Sequence, residues 1–80
     1  MARVHLWAGL RRFTDGAEVI EVEGATIAQV FAALRVAHPG LAPFLDGGVS
    51  VVVDGALSTN RHAPVGVTSE VFLLQRIKGG

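Results

Sequence analysis

TIAQVFAALRVAH, residues 26–38, is the stretch that decides the fold. Ile27, Val30, Phe31 and Leu34 recur at i, i+3, i+4 and i+7, which lays an apolar stripe along one face of a helix. Thr26 followed three residues later by Gln29 reads as a capping box that starts this helix. The segment HPGLAP (38–43) stops it, because Pro39 cannot continue a helix and biases His38 away from helical geometry. His38 is then a helix-end residue favoured by the dipole. One such helix between two sets of strands is long enough to serve as a crossover.

Upstream, RVHLWAGL (3–10) alternates with period two. Val4, Leu6, Ala8 and Leu10 share one parity, and Arg3, His5 and Trp7 share the other. FTDGAE (13–18) carries an Asp15-Gly16 turn signal. AEVIEVEG (17–24) alternates again, with Ile20 and Val22 opposite Val19, Glu21 and Glu23. The two runs predict a hairpin over 3–23, and Gly24 ends it.

Downstream, LAPFLDGG (41–48) is too broken for a full helix; a helical turn burying Leu41, Phe44 and Leu45 is expected. VSVVVDG (49–55) is a β-branched run ending in a second Asp-Gly turn, and its apolar continuity predicts a strand toward the sheet centre. A short strand is expected near Ala56–Ser58, inside an otherwise turn-rich segment. EVFLLQRI (70–77) predicts a strong last strand leading into Gly79 and Gly80. The layout is α+β, a mixed sheet of four to five strands crossed by one main helix. The first and last strands are expected to be central, parallel neighbours, since the helix supplies the crossover that a parallel pair needs.

The composition bounds the function. Eighty residues make one domain, 1–78, with a tail at 79–80. Seven basic and seven acidic residues cancel to a net charge of zero, which gives no electrostatic footprint for nucleic acid or an anionic membrane. There is no cysteine, hence no disulfide, thiolate nucleophile or cysteine metal site. His5, His38 and His62 are too scattered for a metal site. Neither G-x-x-x-x-G-K-[ST] nor G-x-G-x-x-G occurs. The N-terminal apolar run is too short for a signal peptide or membrane span, so a cytoplasmic location is expected.

Several segments in order resemble the small sulfur carriers of the ThiS/MoaD type. RVHLWAGLRR is similar to that family's opening strand, Val-x-Phe/Leu-Phe-Ala-x-Leu-Arg. GATIAQVFAALRVAHPGL resembles its helix start and the Pro-x-Leu that follows. VVVDGALSTNRHAPV resembles its Val-Asn-x-x-x-Val…Pro-Leu segment, and EVFLLQRIKGG its closing strand and Gly-Gly tail. The chain departs from the pattern at Gln75 and Arg76, where the family often has Pro-Pro, and in keeping only Glu70 of an acidic run before the last strand.

The resemblance implies a ubiquitin-like β-grasp fold and a mechanism. An adenylating enzyme of the ubiquitin-activating type uses ATP to activate the Gly80 carboxylate. A sulfur donor converts the adenylate to a thiocarboxylate, and the sulfur passes to an acceptor enzyme such as the large subunit of molybdopterin synthase. The chain binds no cofactor itself and is not catalytic alone; Gly80 is the reacting residue and Gly79 the slender tail beside it. Sulfur carriage for thiamine or cysteine synthesis, a ubiquitin-like modifier joined through Gly80, and a plain binding module are the alternatives.

Trp7, Phe72 and Leu74 fall on one parity, with Val52 beside them, and predict an open apolar sheet face for partners. The alternative is a second minor core, and a one-residue slip exchanges the faces. Arg11, Arg12, Arg76 and Lys78 are either a basic collar round the tail or ordinary solvated charge. Glu18, Glu21 and Glu23 read as a solvated strand edge.

Overall fold

The computed structural model describes residues 1–47, 49–58 and 60–75. Five strands form one sheet: β1 Ala2–His5, β2 Val19–Val22, β3 Ser50–Val53, β4 Ala56–Ser58 and β5 Glu70–Leu74. Their order across the sheet is β2-β1-β5-β3-β4. β1 and β5 are parallel, with Val4 opposite Val71; the other pairs are antiparallel. The predicted central pair is therefore present, and β5 is the middle strand.

The crossover is helix α1, Ile27–Ala37. Thr26 caps it, its Oγ1 accepting from the Gln29 amide at 3.2 Å. The Gln29 Oε1 accepts in return from the Ala25 amide at 2.7 Å, one residue before the capping residue. The next amides at this end find partners in the loop that returns to β5: Ile27 N donates to Ala63 O and Ala28 N to Arg61 O. Amides that would otherwise lack an intrahelical acceptor are thus paired. Ile27, Val30, Phe31 and Leu34 are buried, and they meet Val4, Val51, Val71 and Leu73 from the inner sheet face in one core. Each such side chain contributes about 1.5–3 kcal/mol on burial.

Several expectations are corrected. β1 ends at His5, and Ala8–Phe13 form a 3₁₀ turn rather than continued strand. Leu6 and Leu10 are both buried, which mimics period two, but Leu10 reaches the core because its amide bonds back to the Trp7 carbonyl at 3.0 Å. Asp15 and Gly16 take positive φ as a turn pair, yet they close this 3₁₀ segment rather than join two strands directly. Asp54 and Gly55, also both at positive φ, do join β3 to β4 as a two-residue hairpin.

The expected turn after α1 is a 3₁₀ turn, Pro39–Leu41, followed by α2, Ala42–Asp46. Leu41 and Leu45 are fully buried, whereas Phe44 is only half-buried because its ring lies out against Trp7 and Phe13. β5 ends at Leu74, so Gln75 is not strand. Residues 76–80, which include the expected strand end and the tail, lie outside the described residues.

Candidate partner-docking site

The strand registers place one row of side chains across the outer sheet face. His5 pairs with Val19 on one side and Phe72 on the other; Phe72 pairs with Val52, and Val52 with Leu57. The row crosses all five strands, and α1 packs on the opposite, inner face. Phe72 and Leu74 stay 39% and 43% exposed, which is unusual for large apolar side chains on a central strand. Parity alone groups Trp7, Phe72 and Leu74 with Val52. Alternation puts His5 on the Trp7 side without giving it a partner there, and Leu57 is absent from the sequence reading, although the Asp54-Gly55 turn fixes the β3–β4 register and sets Leu57 beside Val52.

At the end of this row where β1 and β5 both finish lies an open groove of about 280 Å³. His5, Trp7, Arg11, Glu18, Phe72 and Leu74 line it. The structure thus brings Trp7, Phe72 and Leu74 to one place. Trp7 does not point wholly away from the core as its parity suggested. It caps the sheet end, half-buried, with its ring meeting Phe44 edge-on at 6.4 Å. The reason is the early end of β1: Trp7 starts the 3₁₀ turn, so strand parity no longer aims it.

His5 stacks on Phe72 with ring centroids 4.2 Å apart and planes 12° from parallel. Its Nε2 lies 3.3 Å from Glu70 Oε2, while the other Glu70 oxygen lies 3.5 Å from Arg3 Nη1. Arg11 pairs with Glu18 at 3.3 Å across the groove. Arg12 lies over the Phe13 ring. The described half of the expected basic collar is therefore occupied locally, by an acidic side chain and an aromatic ring. The pairs are partly exposed and worth at most about 1 kcal/mol each. Arg76, Lys78, Gly79 and Gly80 lie outside the described residues.

A separate polar cluster locks the start of β5. The Asp54 carboxylate accepts from the Glu70 amide at 2.9 Å and from the Ser69 hydroxyl at 2.8 Å. These bonds, the Glu70 amide first, hold its pKa below the ordinary carboxylate value. Among the described residues no three His, Cys, Asp or Glu side chains are grouped to hold a metal ion. No described helix is long and apolar enough to cross a membrane.

Comparison places this architecture. A chain of the crystal structure of the Amycolatopsis orientalis BexX/CysO complex superposes with TM-score 0.87, 22% identity and full coverage of both chains. SAMP1 from Haloferax volcanii gives TM-score 0.80 and 24% identity over 99% of this chain and 98% of its own. A chain of the complex of subunits 1 and 2 of molybdopterin-converting factor from Helicobacter pylori gives 0.73 and 19%, over 99% and 97%. No protein-family model matches the sequence, and no curated protein sequence does either. At these identities the match defines the fold: a ubiquitin-like β-grasp domain. Its neighbours in shape are small proteins of the CysO, SAMP1 and molybdopterin-converting-factor type.

Proposed function

We propose that this chain is a sulfur carrier. The carrying observation is that the middle strand, β5, runs out beside the apolar groove, with Gln75 to Gly80 following it and a Gly-Gly pair at 79–80. A partner seated on Trp7, Phe72 and Leu74 would meet the end of β5, from which the sequence continues through Gln75 to Gly79 and Gly80. Glycines lack Cβ atoms and pass where a side chain would be blocked. An adenylating enzyme spends ATP to join AMP to the Gly80 carboxylate, which converts a poor electrophile to one with a good leaving group. Hydrosulfide then attacks that carbonyl; the C–S bond forms, the C–O bond to AMP breaks, AMP and the sulfur's proton leave, and a thiocarboxylate results. With no cysteine in the sequence, a thiol-level sulfur has no side chain to occupy.

The chain acts in the cytoplasm with a separate acceptor enzyme, and the large subunit of molybdopterin synthase is the first acceptor to test. The test is to incubate the chain with the adenylating enzyme, ATP and a sulfur donor, add acceptor, and follow loss of the thiocarboxylate. The resemblance in shape to SAMP1, a small archaeal modifier protein, supports a second reading. In that reading Gly80 is joined to lysine amines of other proteins. Isopeptide-linked conjugates without thiocarboxylate would favour it.

A further inference from the structure

β2 is the outermost strand on its side of the sheet. Leu6 N donates to Glu18 O at 2.9 Å, and the antiparallel pairing alternates from there. Glu18, Ile20 and Val22 therefore turn their backbone groups to β1, and Val19 and Glu21 turn theirs outward. Arg3, opposite Glu21, agrees: its amide donates away from β2, to Ser69 O at 3.0 Å. The edge is also acidic. Between Arg12 and Arg35 the chain carries Asp15, Glu18, Glu21 and Glu23 and no basic residue. Glu21 and Glu23 are exposed and flank Val22, which is buried in the core. The edge thus reads acid, apolar, acid, with the acids on the outer-face parity and Val22 on the inner.

The complementary pattern stands at Arg76-Ile77-Lys78, which reads base, apolar, base. We propose that the β2 edge takes residues 76–78 of a second copy of this chain as an added strand. Arg76 and Lys78 then lie beside Glu21 and Glu23, and Ile77 lies beside Val22. The outward N–H and C=O of Glu21 supply main-chain bonds, and the alternate side chains supply the fit. Three residues suffice for a strand in this sheet, since β4 has no more. A chain cannot do this to itself. A strand added to β2 sits three strand spacings from β5, roughly 14 Å. Arg76 is two residues beyond Leu74, the end of β5, and so at most about 7 Å from it. Acidic side chains on an edge also guard against pairing. That guard acts against an identical edge, where acids would face acids; a basic strand is attracted by it.

Sedimentation of the full chain over a range of concentrations tests this without any adenylating enzyme, so the outcome is independent of sulfur carriage. The average mass should rise with concentration at low ionic strength and fall back as salt is added. The amide resonances of Val19 and Glu21 should shift with it. Glu21→Lys combined with Glu23→Lys should stay monomeric, since the edge then repels the basic segment. Arg76→Glu combined with Lys78→Glu should do the same. An equal mixture of the two variants should associate again, because the basic edge of one meets the acidic segment of the other. Circular dichroism checks that each variant is folded. If the double lysine variant is not, Glu21→Gln with Glu23→Gln takes its place and should weaken association by up to roughly tenfold. The proposal is overturned if the wild type is monomeric at every concentration, if the mixture stays monomeric, or if the Glu21 and Glu23 substitutions leave association unchanged. Association lost only in Trp7→Ala would place the contact at the groove and equally overturn it.

Discussion

Gly24→Ala should destabilise the domain, although Gly9→Ala, whose Cβ would approach a side-chain atom, Trp7 Nε1, at the same 2.8 Å, should not. A Cβ at residue 24 would lie 2.8 Å from the Val30 amide nitrogen, 2.9 Å from Val30 Cγ2 and 3.1 Å from the Gln29 carbonyl carbon. Two of these are backbone atoms of α1, and Val30 is fully buried in the core, so nothing there can swing away. The chain must move the helix start off the end of β2. Overpacking of this kind costs about 1–3 kcal/mol. Alanine regains about 0.4–1 kcal/mol by restricting the unfolded chain. The net loss is on the order of 1–2 kcal/mol, or roughly 4–16 °C of Tm for a domain of this size. Thermal unfolding followed by circular dichroism at 222 nm, the helical band, measures it. A Tm equal to wild type, or a drop no larger than for Gly9→Ala, would refute the close packing of α1 on residue 24.

Other outcomes follow from the same geometry. Trp7→Ala should leave the fold intact and weaken docking to the adenylating enzyme by about 2 kcal/mol or more in calorimetry; unfolding with unchanged affinity per folded molecule would assign Trp7 to the core alone. Gly79→Ala should keep wild-type Tm and slow ATP–pyrophosphate exchange by the adenylating enzyme, because a methyl group then has to pass the enzyme's channel. Asp54 has a folded pKa held below its ordinary 3.8, so its bonds stabilise the protein above that value, and the contribution is lost as pH falls through the lowered folded pKa. The Tm gap between wild type and Asp54→Asn, a change that keeps a residue tolerant of positive φ, should therefore be widest at neutral pH and close on acidification. A gap constant with pH would contradict this.

The helix was legible residue by residue, because its apolar period, cap and proline stop all agree. The central β1–β5 pair followed from topology, since only a long crossover allows it. What misled was the stretch from Trp7 to Leu10. Period two and a single 3₁₀ turn both bury residues 6 and 10, so the alternation could not distinguish them. That error carried over to Trp7, whose direction depends on where the strand stops. The outer face was half visible: alternation puts His5 with Trp7, and Phe72 and Leu74 with Val52, but only the pairing register sets His5 beside Phe72 and Leu57 beside Val52.

Intact-protein mass spectrometry tests the chemistry of Gly80 most directly. After incubation with the adenylating enzyme, ATP and a sulfur donor, the chain should gain the mass of one oxygen-to-sulfur exchange. Fragmentation should place the exchange on Gly80, and alkylation should trap it, because a thiocarboxylate is a far stronger nucleophile than a carboxylate. An unchanged mass, with the adenylating enzyme shown to be active and Gly80 found only in isopeptide bonds to other proteins, would contradict sulfur carriage.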